Sequence, residues 1–185
     1  MEINNPRKSI KSRIIAIAIP TILLLAYITL PYCVEFVPHQ TIASYFPLSK
    51  EIKDTLRTGT AYEIAHSRKC PGNNVAKGIA HYCKRVVARQ LVFTFKQKAE
   101  RKLNEHNCVG YAAMLTEACN YAFKVNNVNA VCYHVRGSVK YFGINLCSIM
   151  GVISPFFKDH DFCIVKYGND SITLDASLYD LTTLW

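Results

Sequence analysis

Residues 159–177 read DHDFCIVKYGNDSITLDAS and predict a two-stranded hairpin with a titratable residue at each outer end. The residues on both sides of Gly168-Asn169-Asp170 are rich in β-branched and aromatic types, which favour strands. The three residues between them are typical of a hairpin turn. His160 opens the first strand, and Asp175 closes the second. These two positions lie at the same end of an antiparallel pair, so we expect the Asp175 carboxylate to hold the His160 imidazole.

A second segment, Asn107-Cys108-Val109-Gly110-Tyr111, opens a run of good helix formers, AAMLTEACNYAF. Asn107 suits the N-cap position, which places Cys108 in the first helical turn. There the unpaired backbone N–H groups and the helix dipole favour a thiolate. This is how a cysteine becomes a nucleophile near neutral pH. We therefore expect Cys108 to face the free nitrogen of His160.

The predicted helix has one apolar stripe at helical spacing. Its members are Cys108, Ala112, Leu115, Cys119 and Ala122. Cys119 lies three turns below Cys108, about 16 Å away at 1.5 Å per residue, and is interpreted as a small core residue.

Taken singly, Cys108, His160 and Asp175 are unremarkable residues. Most cysteines are structural, a histidine at a strand start is usually a surface or locally bonded residue, and an aspartate after a strand is often a turn or cap residue. Together they form the order of a nucleophile, a base and an orienting acid. The joint pattern predicts a catalytic triad.

This order resembles the transglutaminase-like superfamily, whose core is similar to that of papain-like cysteine proteases. The matching motifs are NCVGYA at 107–112, HDF at 160–162 and LDAS at 174–177, and Asp175 lies 15 positions after His160. VNAVCYHVR at 128–136 looks like the strand that follows the cysteine helix in that family. The resemblance covers roughly residues 100–180. It departs from the family pattern at Phe162, where the family has Trp, and at Ala176, where it often has Pro.

The resemblance implies an α+β fold in which the cysteine-bearing helix packs on an antiparallel sheet. It implies that a Cys108 thiolate attacks an amide or ester carbonyl, with His160 as proton carrier and Asp175 as its orienting partner. The backbone N–H of Cys108 is the natural oxyanion donor, and no cofactor is required. A second donor is not identified: none of the residues considered fits a motif, and all of them precede Cys108, namely Gln90, Gln97 and Asn104.

The reaction favoured by the resemblance is hydrolysis of an amide bond in a peptide or protein. One alternative is an acyltransferase or transglutaminase with an amine acceptor. The other is a non-catalytic, tethered module that binds a peptide in the same groove.

An apolar run at Ile14 to Val34, IIAIAIPTILLLAYITLPYCV, predicts a single membrane anchor. Its 21 uncharged positions match the about 20 residues needed to cross a bilayer. The basic residues among 1–13 favour a cytoplasmic tail there and a domain on the other side of the membrane. A cleaved signal peptide is the competing interpretation, but no small-residue cleavage site follows the run.

The chain after the anchor is predicted to contain a connector with a short helix at 35–72, then a catalytic domain at 73–185. Phe36 to Pro47 is interpreted as the connector and Leu48 to Leu56 as the short helix. Asn73 or Asn74 is expected to cap a helix that begins at Val75. Lys96 to Glu105 is charged and helix-prone.

The formal net charge is +9, which raises the question of a nucleic-acid partner. The basic residues are dispersed and no nucleic-acid-binding motif accompanies them, so we expect a solvated basic surface and no nucleic acid.

Cysteines other than Cys108 raise two further possibilities. Six follow the anchor's core, enough for up to three disulfides in an oxidising compartment, with Cys70–Cys83 the first pairing to consider. The alternative is buried thiols at Cys119, Cys132 and Cys163. Metal binding through His106 and Cys108, or through Cys132 and His134, is the rival chemistry, but neither pair has paired CxxC spacing.

Overall fold

The computed structural model of the chain describes residues 18–21, 24–25, 29, 33–67, 74–96, 100, 102–153 and 159–182. The helices are α1 (Lys50–Ser67), α2 (Val75–Gln90), α3 (Cys108–Val125), α4 (Leu146–Ile153) and α5 (Ala176–Thr182). The strands are β1 (Val34–Thr41), β2 (Val92–Phe93), β3 (Glu105–His106), β4 (Ala130–Tyr141), β5 (Ile144–Asn145), β6 (His160–Tyr167) and β7 (Asp170–Leu174).

The main sheet of the described residues is antiparallel, with the order β1-β4-β6-β7 and with β5 paired to the end of β4. The predicted hairpin is present as β6 and β7. Tyr167 pairs with Asp170 across a two-residue turn, and Gly168 has a φ of 56°, which costs glycine little. A separate short ladder joins β2 and β3 in parallel.

Helix α3 lies against the sheet and forms the centre of the core. It packs on β4 and β6 on one side and on α2 on another. All five members of the predicted apolar stripe are buried, with Leu115, Cys119 and Ala122 fully so. Removing this apolar surface from water is the main stabilising contribution to such a contact. The predicted class, an α+β fold with the cysteine-bearing helix on an antiparallel sheet, is therefore confirmed.

The start of α2 agrees with the predicted cap. The side-chain oxygen of Asn74 accepts hydrogen bonds from the backbone N–H groups of Ala76 at 2.8 Å and Lys77 at 3.4 Å. These bonds satisfy two donors that a helix start otherwise leaves open.

The predicted connector and the helix after it need correction. Residues Val34–Thr41 form an edge strand that pairs with β4 from Val34↔Tyr141 to Thr41↔Val135. The bulge between Pro38 and Gln40 accommodates the proline, since an edge strand tolerates a missing N–H. The short helix begins at Lys50 and continues to Ser67. Residues 35–67 thus belong to the folded unit.

The helix-prone segment at 96–105 also differs from expectation. Lys96 and residues 102–104 are not in an α-helix, and Glu105 begins β3. The Glu105 carboxylate pairs with Lys96 at 3.1 Å and accepts the backbone N–H of Lys102, which holds residues 102–105 as a turn.

The predicted anchor at 14–34 lies mostly outside the described residues. Of that run the structure describes 18–21, 24–25, 29 and 33–34, and Val34 is already the first residue of β1. In the described part of the chain, no helix is both long enough and apolar enough to cross a membrane.

Candidate functional site

Cys108 is the first residue of α3. Asn107 precedes it in extended conformation and occupies the N-cap position, where its backbone oxygen accepts the N–H of Tyr111 at 3.1 Å. The Asn107 side chain makes no capping hydrogen bond. The thiol therefore sits where the positive end of the helix dipole favours a negative charge. Cys108 keeps about 9% of its surface exposed, so it lies at the boundary between core and solvent.

His160 is the first residue of β6 and contacts both of its predicted partners. Its Nε2 forms a short hydrogen bond with Oδ2 of Asp175. The Cys108 thiol is its second neighbour, and the interaction with that thiol raises the pKa of His160. Because Nε2 faces the carboxylate, Nδ1 is the ring nitrogen left for the thiol. The expected convergence of the three side chains is thus present.

Asp175 is held in place by the helix that follows it. Its second oxygen, Oδ1, accepts hydrogen bonds from the N–H of Ser177 at 2.9 Å, the hydroxyl of Ser177 at 2.7 Å and the N–H of Leu178 at 3.0 Å. The backbone oxygen of Asp175 accepts the N–H of Tyr179 at 3.2 Å. Asp175 is therefore the N-cap of α5, and Oδ2 is left for the imidazole.

The charges of this pair support each other. Burial disfavours the charged imidazole, but the Asp175 charge, its hydrogen bond and the Cys108 thiol outweigh burial and hold the pKa of His160 well above its usual 6.5. Burial also disfavours the Asp175 carboxylate, yet the His160 charge and the bonds from Ser177 and Leu178 lower its pKa. The pair is thus an ion pair near neutral pH, with a protonated imidazole facing Cys108.

Two aromatic rings flank the imidazole. Phe162 stacks with His160 at a centroid distance of 6.4 Å and an interplanar angle of 21°. Phe36, from the edge strand β1, lies 6.3 Å from His160 and 4.9 Å from Phe162. The rings limit the directions in which the imidazole can turn. Phe162 was identified from the sequence as the aromatic of the HDF motif, whereas Phe36 lies in the segment interpreted as a connector.

Gly137 gives these rings their space. It pairs with His160 in β6 and with Pro38 in β1. A Cβ at this position would lie 2.1 Å from the backbone oxygen of Val37 and 3.0 Å from the Phe162 ring. Only glycine fits at this position, where β4 pairs with both β1 and β6, without a backbone shift.

Lys84 is a further charged neighbour that sequence reasoning missed. It is only 5% exposed, and its ammonium group lies 4.6 Å from the centre of the Tyr179 ring in α5. Burial and then the Arg85 charge lower the pKa of Lys84 to about 8, while the Asp175 charge opposes them. A lysine in an amphipathic helix is expected on the exposed face, so the sequence gives no signal that Lys84 is buried.

The predicted oxyanion donor is the backbone N–H of Cys108. The backbone N–H of Cys108 lies at the open start of α3, where helices leave such donors unpaired by their own backbone. Gln90 and Asn104 are both exposed side chains, and Gln97 lies outside the described residues.

A second histidine–aspartate pair lies in the same sheet. His134 Nε2 is 2.8 Å from Oδ1 of Asp161, and the Nε of Arg136 lies 3.5 Å from the same oxygen. The His134 side chain is fully buried, and its Nδ1 has no hydrogen-bond partner. From the sequence, His134 is expected only as a possible metal ligand.

The remaining thiols lie in the core. Cys83, Cys119, Cys132 and Cys163 are buried and free, as are Cys108 and Cys147, and Cys33 is free and half-buried. Burial raises the pKa of Cys119 and of Cys163, so both are protonated near neutral pH. Cys70 of the predicted Cys70–Cys83 pairing lies outside the described residues. Among the described residues, no group of three or more His, Cys, Asp or Glu side chains is arranged to hold a metal ion.

Comparison with known proteins gives no further assignment. No protein-family model matches the chain, and no curated protein and no solved structure matches it either.

Proposed function

We propose that this chain is a membrane-anchored thiol hydrolase that cleaves an amide bond of a peptide or protein. The observation that carries the proposal is the contact of His160 with both Asp175 and Cys108 at the start of α3. Three side chains that are far apart in sequence meet in the order of a nucleophile, a base and an orienting acid.

In the proposed reaction, the Cys108 proton lies on Nδ1 of His160 before attack, so a thiolate faces an imidazolium. The thiolate attacks the carbonyl carbon, and the backbone N–H of Cys108 stabilises the oxyanion. The imidazolium then gives its proton to the leaving amine, and a thioester to Cys108 remains. Water attacks the thioester as His160 accepts a proton from it, and the acid is released as the Cys108 thiolate leaves, which restores the thiolate–imidazolium pair. No cofactor takes part.

The surroundings support this role for the imidazole. The bond to Oδ2 of Asp175 fixes which ring nitrogen faces the thiol. The hydrogen bonds from Ser177 and Leu178 to Oδ1 hold the carboxylate still, so the orienting acid is itself oriented. Similarity to the transglutaminase-like superfamily, as stated for the three motifs, adds the expectation of an acyl-enzyme.

The test is alkylation of the full chain in detergent micelles with limiting iodoacetamide from pH 5 to pH 9, followed by mass spectrometry of each cysteine peptide. We expect selective labelling of Cys108 below pH 7, and loss of that selectivity in His160→Ala. His39→Ala is the matched control, because His39 is an exposed histidine of the same sheet. The buried Cys119 and Cys163 serve as internal references. Uniform, slow labelling of all thiols would reject the mechanism.

A second measurement distinguishes hydrolysis from its alternatives. The full chain is incubated with a peptide library, with and without an added primary amine, and the products are weighed by mass spectrometry. Cleaved peptides whose new acid ends carry oxygen from labelled water support the hydrolase. Products that carry the amine point to an acyltransferase. A reactive Cys108 that retains peptides without turnover would point to the tethered binding module.

A further inference from the structure

The turn between β4 and β5 presents a large apolar residue at its apex. Tyr141 pairs with Ile144, so Phe142 and Gly143 form a two-residue turn. Both have positive φ, 49° and 76°. Such turns normally carry Asn-Gly or Asp-Gly, because a bulky side chain is strained at positive φ. Phe142 is nevertheless 63% exposed.

Phe142 does not stand alone. Ile144 is 56% exposed, and Ile149 on α4 is 53% exposed. We call Phe142, Ile144 and Ile149 the apolar tip. In the sequence, no Asp, Glu, Lys or Arg falls between Lys140 and Lys158. An exposed, uncharged apolar segment of this kind is typical of an interaction site.

The apolar tip lies where the N-terminal apolar run joins the domain. The backbone N–H of Phe142 donates to the backbone oxygen of Cys33 at 3.0 Å, and Val34 pairs with Tyr141. The Tyr141 hydroxyl lies 3.0 Å from that of Thr29. The end of the run and the apex of the turn are therefore at the same level of the molecule.

Charged residues lie next to the apolar tip in the paired strands β1 and β4. Glu35 and Lys140 face each other across β1 and β4 at 3.7 Å, and Glu35 is 63% exposed in its side chain. An aromatic and aliphatic edge followed by charged residues matches the boundary between hydrocarbon and headgroups. Helix α4 has eight residues, about 12 Å in length, which suits an interfacial position and not a span of about 30 Å.

We propose that the apolar tip inserts into the interface of the lipid bilayer that holds residues 14–33. This inference rests on the membrane anchoring in the proposed function, and it is independent of the thiol chemistry. The domain would then be attached to the membrane at two adjacent points, the end of the anchor and the rigid apolar tip. Gly137, the partner of His160, is four residues from Tyr141, so the thiol site would lie about 13 Å above the tip at 3.3 Å per strand residue. The substrate bond would be one close to the membrane surface.

The test uses the full chain in phosphatidylcholine–phosphatidylglycerol vesicles, with tryptophan as a depth probe. The chain has one tryptophan, so Trp185→Phe provides a silent background. Phe142→Trp is compared with Tyr62→Trp, a matched aromatic exchange on α1 at a position that is 71% exposed. We expect blue-shifted emission for Phe142→Trp and quenching by bromine-labelled acyl chains at least about twofold stronger than for Tyr62→Trp. If Phe142→Trp does not fold, as judged by circular dichroism, Ile144→Trp replaces it.

Each other outcome overturns the proposal. Equal quenching of the two probes would place the tip in water. A blue shift without quenching by bromolipids would indicate a protein occupant, such as a second copy of the chain. Failure of the chain to float with the vesicles would reject the anchor together with the tip. Cys108 labelling on the same vesicles reports separately on the thiol site, so failure of the tip and failure of the thiol chemistry are distinguishable.

Discussion

The sheet contains two histidine–aspartate pairs, and they differ in their surroundings more than in their geometry. His160 stands at the start of β6, keeps 18% of its side chain exposed and interacts with Cys108 as well as with Asp175. His134 lies inside β4 with its side chain fully buried, and its remaining nitrogen has no hydrogen-bond partner. His134 also has a cysteine beside it, since it pairs with Cys163 across the strands, but only the first pair keeps its imidazole partly exposed to solvent.

The comparison shows that a histidine–aspartate pair alone does not define a reactive site. Asp161 is shared between the His134 imidazole and the Arg136 guanidinium, so its carboxylate holds two side chains of the sheet. Asp175 is shared between His160 and the start of α5, so its charge is directed to one imidazole. We infer a structural role for the buried pair and a chemical role for the pair at the sheet end.

The largest expected effect is on thiol reactivity. Asp175→Asn should slow Cys108 alkylation at pH 6 on the order of 1,000-fold, because the imidazolium that favours the thiolate loses its counter-charge. Asp161→Asn is the matched change in the other pair and should leave the rate within about twofold in folded protein. The measurement is the alkylation rate from quantitative mass spectrometry. Equal effects of the two substitutions would erase the distinction between the pairs.

The next largest effect is on stability, and here the substitution in the buried pair should have the larger effect. Asp161→Ala should lower the free energy of unfolding by about 3 kcal/mol, because it leaves His134 buried without a partner. Chemical denaturation followed by circular dichroism measures this loss. The control is Asp159→Ala, an exposed neighbour, which should cost less than about 0.5 kcal/mol. A loss at Asp161 no larger than that of the control would contradict a structural role.

A smaller effect is expected at the crossing beside His160. Gly137→Ala should cost about 2 kcal/mol of stability, since its Cβ meets the Val37 oxygen, and should also slow Cys108 alkylation by displacing the rings around His160. Gly168→Ala is the matched control: nothing lies within 4 Å of its Cβ, and only its positive φ is strained, at a cost of about 1 kcal/mol. An unchanged rate of Cys108 alkylation in Gly137→Ala would show that this glycine does not influence the thiol site.

The smallest effect is a pH dependence of stability that arises from the His160–Asp175 pair. The folded-state pKa of His160 lies above its unfolded value of 6.5. Its contribution to stability is therefore fully present below about pH 6.5 and is lost as the pH rises through the folded-state pKa. The stability difference between the parent chain and His160→Gln should thus be larger at pH 6 than at pH 9. Denaturation of both proteins at both pH values measures this difference. A stability difference that is larger at pH 9 than at pH 6 would contradict the prediction.

Local sequence signals predicted the parts of the fold that depend on neighbouring residues. The β6–β7 hairpin follows from its turn and its strand residues, and α3 follows from its helix formers and its apolar stripe. Once both are placed, the meeting of Cys108, His160 and Asp175 follows from chain order and antiparallel pairing.

The parts that were missed depend on distant pairing. β1 lies about a hundred residues from the strand it pairs with, carries Pro38 and has no alternating pattern, so it was interpreted as a connector. Phe36 and Gly137 acquire their roles beside His160 only through that pairing. Ser177 is different, because the order Asp-Ala-Ser at a helix start is a local capping signal that identifies the partner of Asp175.

The two oxygens of Asp175 connect the thiol site to the far end of the described chain. One oxygen anchors the first turn of α5, a helix of seven residues, while the other steadies the imidazole. Loss of the first turn of α5 would remove the hydrogen bonds that Oδ1 accepts. We expect the carboxylate then to be free to turn away from the imidazole, so α5 acts as a support for the proposed thiol site.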